Sequence, residues 1–201
     1  ILHIIVVKNL HEKIKGPAIA VDTVVFSIAE GKLVTLLIQI GSGPYKNKWA
    51  LPGGLVQLGE NPENAAIRVL RDKTNIVQGH LEQLYTFGDV NRDVRGQVVS
   101  ISYLLLVENA KQITIKTTDF YTNITWVPVK YLPPMAFDHA KMIKLARNRL
   151  NSKMVYSNII CPLLPKEFTL SDLQHMYEII WDRKVDKRNF RKKMLVSSLL
   201  T

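Results

Sequence analysis

Two neighbouring runs of hydrophobic residues, 21–28 and 33–40, dominate the pattern near the start of the chain. Both runs are rich in β-branched residues, and the sequence Ala-Glu-Gly-Lys between them is typical of a hairpin turn, so we predict two paired strands. The same residue types predict further strands at 48–51, 80–87, 98–107 and 122–126. The first of these is expected to stop at the Pro-Gly-Gly sequence that follows it.

One helix is predicted inside this strand-rich part. Asn61 is a good N-cap, Pro62 suits the first helical position and Glu63 places an acid in the first turn. We expect the helix to run to about Lys73 and to stop near Asn75. Strands mixed with a helix indicate an α/β fold, an α/β/α sandwich around a mixed sheet, which we assign to residues 1–137.

From Asp138 onward, the hydrophobic residues recur with a helical period. Asp138 is expected to cap a helix that runs to about Arg149, and Thr169 or Ser171 is expected to cap a second helix. The buried stripe of the second helix is predicted to be Leu173, Met176, Tyr177 and Ile180. Asp186 caps a third helix with Phe190 and Met194 on its inward face. We place the domain boundary at 132–134 or slightly beyond and assign 138–201 to a mainly helical domain.

The net charge of +10 is concentrated in the second of these domains. Residues 1–137 carry 14 Lys and Arg against 11 Asp and Glu, a net +3, whereas residues 138–201 carry 13 against 6, a net +7. This excess predicts a polyanionic partner for residues 138–201. The single cysteine, Cys161, excludes an internal disulfide, which suits a reducing cytoplasm, and we expect its side chain to be buried.

Neither a membrane span nor a signal peptide is expected. No apolar run approaches the roughly 18 residues that a spanning helix requires, so we predict a cytoplasmic protein without a membrane partner. The apolar opening, residues 1–7, is short and lacks a small-residue cleavage site. Because the chain starts at Ile1 rather than at Met, we expect its natural N-terminus to lie upstream.

The most informative stretch has Gly54, then Glu60 after five residues, then Arg68, Leu70 and Ile76 after a further seven. It resembles the Nudix box, which continues from its arginine as Arg-Glu-apolar-X-Glu-Glu-X-Gly-apolar, and the lead-in at 49–54 is also similar. The resemblance implies a Nudix-like sandwich. In this family, glutamates on one helix face hold the divalent cations that promote hydrolysis of diphosphates linked to another moiety.

Two of the three glutamates of that helix face are replaced by residues that cannot bind a cation. Residues at i, i+3 and i+4 share a helix face, and here they are Val69, Asp72 and Lys73. An ammonium group close to a divalent ion repels it. We therefore expect no catalytic residue, no metal site and no resident cofactor. Asn75 replaces the glycine of the box, and asparagine can still adopt the left-handed conformation.

We expect the domain to keep a pocket that binds a nucleotide without cleaving it. The candidate ligand-binding residues lie in the box, in its lead-in and in a later loop: Trp49, Gly53, Gly54, Glu60, Arg68, Arg92 and Arg95. The two loop arginines suit a bidentate clamp on a diphosphate, and Trp49 suits stacking on a base or ribose. Three alternatives stay open: that Glu60 and Arg68 form a buried pair without a ligand role, that Asp89 and Asp93 neutralise the loop arginines, and that Trp49 belongs to the core.

The segment 168–195 predicts a helix, a short turn and a second helix, the layout in which the second helix enters the major groove of DNA. Seven Lys and Arg lie between Arg183 and Lys193, against one acid. The candidate DNA-binding residues on the outward face are Lys187, Arg188, Asn189, Arg191 and Lys192. Asn189 suits the reading of a base edge. The alternative is a solvated basic helix within a helical cap.

Taken together with the sequence Met-Ala-Phe-Asp-His at 135–139, both halves resemble the Nudix-related transcriptional regulators of the NrtR family. The resemblance implies a Nudix-like sensor and a winged helix that binds double-stranded operator DNA as a homodimer, with Arg188 and Arg191 as the best candidates for DNA contact. It implies ADP-ribose, or a related nucleotide or sugar, as effector, and genes of NAD or sugar metabolism as targets. A winged helix needs a β-hairpin after its recognition helix, so we expect the wing to follow Thr201 or to be missing.

We therefore predict a ligand-responsive transcriptional regulator rather than an enzyme. The first alternative is a Mg²⁺-dependent pyrophosphatase that acts on ADP-ribose or a similar nucleoside diphosphate through Glu60, Asp72 and a rearranged metal site. The second is a catalytically inactive module whose basic end binds RNA or an acidic protein. The lack of aromatic residues on the basic face disfavours single-stranded RNA.

Overall fold

The computed structural model describes residues 16–110 and 121–196. Their elements, in chain order, are β1 Ala18–Ala29, β2 Lys32–Ile40, β3 Trp49–Ala50, β4 Gly53–Leu55, α1 Pro62–Thr74, β5 His80–Phe87, β6 Val98–Asn109, β7 Tyr121–Pro128, α2 His139–Lys153, α3 Leu170–Trp181 and α4 Lys187–Val196. The apolar opening of the chain and any wing after α4 lie outside the described residues.

The strands form one mixed sheet in the order β3-β2-β1-β6-β5, with β4 paired to β1 and β7 paired to β2. β1 and β6 are parallel, and the other pairs are antiparallel. The sequence predicts a stop at the Pro-Gly-Gly segment, but the structure begins β4 there. A Cβ atom at Gly53 would lie 1.8 Å from Oδ1 of Asp22, so glycine serves a close strand approach here and not only a turn.

Both faces of the sheet are covered by helices, which explains why β1 and β2 are almost continuously hydrophobic. Val24 and Phe26 of β1 pack into a core cluster with residues of α2, α3 and α4. Val25, between them, packs on the opposite face in a cluster that includes Leu70 of α1. The predicted α/β/α sandwich around a mixed sheet is confirmed.

Helix α1 begins and ends where its sequence predicts. Oδ1 of Asn61 accepts a hydrogen bond from the backbone N–H of Asn64 at 2.8 Å, and Asn75 closes the helix in the left-handed conformation with φ of 60°. Helix α2 differs from the prediction in two respects. It runs on to Lys153, and the side chain of Asp138 makes no capping hydrogen bond, because Arg92 occupies its carboxylate.

The C-terminal helices are capped by local side chains: at the start of α4, Oδ1 of Asp186 accepts a hydrogen bond from the backbone N–H of Asn189 at 2.8 Å. Thr169, and not Ser171, caps α3 in a reciprocal capping box with Asp172, and the four predicted stripe residues of α3 are buried.

Cys161 opens a short 3₁₀ helix that buries Leu163 and leaves the cysteine exposed, so the prediction of a buried Cys161 was wrong. Within the described part of the chain, no helix is both long and apolar enough to cross a membrane.

The hydrophobic core continues across the predicted domain boundary. Met142 and Ile143 of α2 belong to the same buried cluster as Phe26 and Leu37 of the sheet. The division into domains of residues 1–137 and 138–201 therefore stays a prediction, and α2 links the two parts.

Candidate functional site

A cleft of about 320 Å³ opens between the sheet, the loop after β5 and the start of α2. Its wall combines apolar residues with convergent polar side chains, namely Asp22, Ser42, Lys73, Arg92, Asp93, Arg95, Tyr121 and His139. A smaller cavity of about 160 Å³ lies between the β1–β2 hairpin and α3. The larger cleft is the better candidate site, because more polar groups of both signs face it.

Asp22, in the middle of β1, is the buried centre of the polar cluster. Its Oδ2 accepts a hydrogen bond from Oγ of Ser100 at 2.6 Å and lies 3.5 Å from Nη2 of Arg92, while its Oδ1 lies 3.3 Å from Nε2 of His139. Burial raises the pKa of this carboxyl, but His139, Ser100 and Arg92 outweigh burial, so that its pKa is lowered overall. Asp22 is therefore a buried carboxylate in the wall of the cleft.

His139, the first residue of α2, also ties that helix to the cleft. Its Nδ1 accepts a hydrogen bond from the backbone N–H of Leu51 at 2.9 Å. This acceptor role assigns the imidazole proton to Nε2, the atom that faces Asp22.

Arg92 joins the loop after β5 to the start of α2. Its Nε and Nη2 donate to the two carboxylate oxygens of Asp138 at 3.2 and 2.7 Å, and its side chain is only 3% exposed. Burial lowers the pKa of Arg92, but the hydrogen bond with Asp138 and the charge of Asp22 raise it overall. Arg92 therefore lies at the cleft with both of its carboxylate partners already in place.

Arg95 is bound more loosely than Arg92. Its Nη2 lies 2.7 Å from Oδ2 of Asp93, and 61% of its side chain is exposed. Its guanidinium carbon is 5.3 Å from the ring centroid of Phe137, a separation suited to a cation–π contact. Asp89, by contrast, accepts a hydrogen bond from the backbone N–H of Asn91. The ligand role of the two loop arginines stays a prediction.

The glutamate and arginine of the Nudix-like box lie outside the wall of the cleft. Nε and Nη2 of Arg68 donate to Glu60 at 2.7 and 2.8 Å, and Nη2 also donates to the carbonyl of Leu55 at 3.1 Å. These bonds from Arg68, together with the backbone N–H of Gln57, lower the pKa of Glu60 to about 2. The pair thus fastens the loop before α1 to β4, and its ligand role stays a prediction.

The other predicted ligand residues divide between the cleft and the core. Gly53 and Gly54 line the cleft. Trp49 packs partly buried against the core cluster on the other side of the sheet from α1, and its backbone pairs with Pro134 and Ala136. Four of the seven predicted positions, the two glycines and the two loop arginines, are therefore brought together at the cleft.

The three former acid positions of α1 do not fit a divalent cation. Val69 is buried in a small apolar cluster with Val21, and Asp72 is exposed and paired with Arg71. Nζ of Lys73 donates to the carbonyl of Gly53 and to the hydroxyl of Tyr121. Among the described residues, no group of three or more His, Cys, Asp and Glu is placed to hold a metal ion, whereas Mg²⁺ and Ca²⁺ require oxygen ligands.

Helix α4 presents a basic outer face. Phe190 and Met194 are buried, and the Phe190 ring stacks edge-on against Tyr177 of α3 at 5.1 Å. The five predicted DNA-binding residues are all exposed. Within the part of the chain that the structure describes, no lysine or arginine of α4 forms an ion pair, so these cations are available to a polyanion.

Two side chains of α3 fix the turn that precedes α4. Oε1 of Glu178 accepts a hydrogen bond from the backbone N–H of Val185 at 3.0 Å, and Nε2 of Gln174 donates to the carbonyl of Val185 at 3.0 Å. The bond from Val185 and the ion pair with Lys184 lower the pKa of Glu178 to about 2. The angle between the two helices is thereby held by specific bonds as well as by packing.

Several residues of the cleft were missed from the sequence. Asp22 carried a usable signal, because an acid inside an apolar strand is costly unless it is paired. Tyr121 and His139 carried no such signal, since they reach the cleft only through the pairing of β7 with β2 and the packing of α2. Lys73 was noted only as a lost acid, and its contacts with Gly53 and Tyr121 depend on the fold.

Two protein-family models match the chain. The Nudix domain matches residues 16–146, and the NrtR DNA-binding winged helix domain matches residues 160–201. The ADPR responsive transcriptional repressor NtrR of Acinetobacter baylyi is 38% identical over 189 residues, which are 92% of this chain and 75% of that protein. The chain belongs to the NrtR family of Nudix-related transcriptional regulators.

The chain is also similar to two solved structures and to one further curated protein. Shewanella oneidensis NrtR in complex with a 27mer DNA is 32% identical with a TM-score of 0.76, covering 88% of this chain and 82% of that one. Its Nudix domain in complex with ADP ribose is 34% identical with a TM-score of 0.62, covering 68% and 90%. The ADP-ribose pyrophosphatase of Methanocaldococcus jannaschii is 35% identical over 128 residues, 64% of this chain and 72% of that enzyme.

Proposed function

We propose that this protein is a transcriptional repressor that binds double-stranded operator DNA through the exposed face of α4. The basic face itself carries the proposal. Helix α4 has five Lys and Arg and no acid over Lys187–Val196, and two buried anchors leave those cations outward. Phosphate contacts of such a face supply affinity, and Asn189 suits a base edge. As in other oligomeric regulators with paired half-sites, the protein acts as a homodimer.

The effector in this proposal is ADP-ribose or a closely related nucleoside diphosphate, bound in the cleft without hydrolysis. The cleft is lined by three cations, Lys73, Arg92 and Arg95, against two carboxylates, Asp22 and Asp93. A wall of this kind suits an anion, and it needs no resident cofactor. Repression of genes of NAD or sugar metabolism is part of the proposal and rests on the resemblance to the family.

A chain of contacts leads from the cleft to α4. Arg92 in the cleft wall binds Asp138 at the head of α2, and at the other end of α2 the carbonyl of Met154 accepts a hydrogen bond from the hydroxyl of Tyr177 at 2.7 Å. Tyr177 then contacts Phe190. An effector that draws Arg92 away from Asp138 would shift α2 and, with it, the placement of the two DNA-binding helices in the dimer.

The test is fluorescence anisotropy of the protein on DNA from upstream of its own gene, titrated with ADP-ribose. We expect tight binding that ADP-ribose releases. The double variant Arg188→Ala/Arg191→Ala should lose DNA binding while it keeps its folding and its effector affinity. Operator binding that persists in this variant would show that the recognition helix is misassigned, and wild-type binding that ADP-ribose leaves unchanged would refute the effector.

The alternative function, a Mg²⁺-dependent pyrophosphatase, is favoured by the similarity to the Methanocaldococcus jannaschii enzyme. It would have to work without acids at positions 69 and 73, where Val69 is buried and Lys73 is cationic. Incubation of the protein with ADP-ribose and Mg²⁺ separates the two functions. Release of AMP at ordinary enzymatic rates would establish the enzyme, whereas ADP-ribose that is bound and recovered intact supports the repressor.

A further inference from the structure

Lys73 is the cation of the cleft wall whose charge is not matched by a carboxylate. Arg92 pairs with Asp138 and Asp22, and Arg95 pairs with Asp93. The amino group of Lys73 instead meets two neutral oxygens, the carbonyl of Gly53 and the hydroxyl of Tyr121. Among the described residues, no carboxylate forms an ion pair with it. An anion that enters the cleft therefore meets an uncompensated positive charge at Lys73.

The two contacts also fix where this charge lies. Gly53 belongs to β4 and Tyr121 begins β7, so the amino group contacts two different strands of the sheet. An ammonium has three N–H donors, and the two contacts use two of them. A half-buried lysine that is held in this way has already lost side-chain freedom, which lowers the entropic cost of binding a ligand.

Lys73 lies on the face of α1 that carries the metal-binding acids in the Nudix family. Val69, Asp72 and Lys73 occupy the helix face on which the Nudix family carries its metal-binding acids, but Val69 packs inward and Asp72 turns outward to Arg71. Only Lys73 faces the cleft. An ammonium there repels a divalent ion, yet it donates charge-assisted hydrogen bonds to phosphate oxygens directly.

We propose that the Lys73 ammonium replaces the metal of this fold and binds the diphosphate of the effector, so that the effector binds without a divalent cation. This inference rests on the proposed function, because it concerns the same cleft and the same class of ligand. The proposal makes Lys73 a ligand-binding residue, whereas the pattern of the Nudix box alone shows Lys73 only as the replacement of a metal-binding glutamate. It also explains how a cleft without a set of acidic ligands can hold a nucleoside diphosphate.

The experiment is isothermal titration calorimetry of the full chain with ADP-ribose, once with excess EDTA and once with Mg²⁺. We expect dissociation constants that agree within about threefold, because no ion takes part. In EDTA, Lys73→Met should bind about 10- to 100-fold more weakly, the usual range for a lost hydrogen bond to a charged group. Lys73→Arg should recover part of the affinity, since it restores the charge.

Lys144→Met is the matched control. Lys144 is an exposed lysine of α2 outside the cleft, so this variant loses the same charge and should bind ADP-ribose like the wild type. The thermal midpoint of each variant is measured beside the titration, so that a folding defect is not mistaken for a lost contact. Equal affinity of Lys73→Met and the wild type would refute the role of Lys73.

The failure of this inference is distinguishable from the failure of the proposed function. ADP-ribose that binds only with Mg²⁺, but still releases DNA, would overturn the inference and leave the repressor standing. If ADP-ribose does not bind at all, the proposed effector is wrong, and inorganic pyrophosphate is titrated in EDTA instead. Pyrophosphate binding that Lys73→Met weakens would support the diphosphate site, and no binding or equal binding would overturn it.

Discussion

Removal of Arg92 should destabilise the protein far more than removal of an exposed arginine. The Arg92 side chain is 3% exposed, and its partners Asp138 and Asp22 are 10% and 8% exposed. Arg92→Met keeps most of the volume but leaves two buried carboxylates without their cation. Breaking a buried pair by removal of one partner costs about 3–5 kcal/mol. For a chain of this size, each kcal/mol lowers the thermal midpoint by about 2–4 °C, so we expect a loss of about 6–20 °C.

Arg71→Met is the matched control for this prediction. Arg71 and Asp72 form an ion pair at 2.9 Å, but their side chains are 56% and 50% exposed. An exposed pair of this kind contributes about 0–1 kcal/mol, so the midpoint should fall by no more than about 4 °C. The assay is thermal unfolding followed by circular dichroism at neutral pH, with both variants beside the wild type.

Arg92→Met is also measured in a second protein background, which carries the substitution Asp138→Asn. In Asp138→Asn protein one of the orphaned carboxylates is already neutral, so Arg92→Met should cost less there than in the wild type. The two substitutions form a double-mutant cycle, and the coupling energy between contacting residues in such a cycle is about 0.5–3 kcal/mol. If Arg92→Met lowers the midpoint no further than Arg71→Met, or if the two backgrounds respond equally, the cluster does not link the cleft to α2 in the way described.

The remaining predictions concern acid stability, salt dependence and the contact between α2 and α3. The pKa of Glu60 is lowered from 4.5 to about 2, so the stabilisation from its pair with Arg68 is complete above pH 4.5 and is lost as the pH falls toward 2. The difference in thermal midpoint between wild type and Glu60→Gln should therefore shrink in that window, and a difference independent of pH would contradict the assignment. Lys192→Ala should reduce the slope of log affinity against log salt by about 1 on any DNA sequence, measured by anisotropy, and an unchanged slope would remove Lys192 from the interface. Tyr177→Phe leaves the buried carbonyl of Met154 without its donor and should cost about 1–3 kcal/mol in the free energy of unfolding by urea, whereas an unchanged value would mean that this bond does not stabilise the protein.

The local signals of the sequence were sufficient for the helices, for most of the strands and for the family. Helix α1 could be bounded from Asn61 and Asn75, because a cap is a contact between residues a few positions apart. The stripe of α3 and the anchors of α4 were readable for the same reason, since helical periodicity alone decides which side chains share a face. The spacing of the Nudix box and the basic segment before Val196 then indicated the family that the relatives confirm.

The cleft was decided by the tertiary structure. Arg92 and Asp138 are far apart in the chain, and no local pattern reveals that they pair. The sequence therefore predicted that the side chain of Asp138 caps α2, whereas in the structure this side chain binds Arg92 instead. Strand β4 was missed because the glycine at position 53 is required by the close approach of Asp22 on the neighbouring strand, and not by a turn between chain neighbours. The sequence by itself determined the helices, most of the strands and the loss of the acids at positions 69 and 73. Only the fold decided that Lys73 meets Gly53 and Tyr121 at the cleft, because such contacts depend on which strands pair and which helix covers them.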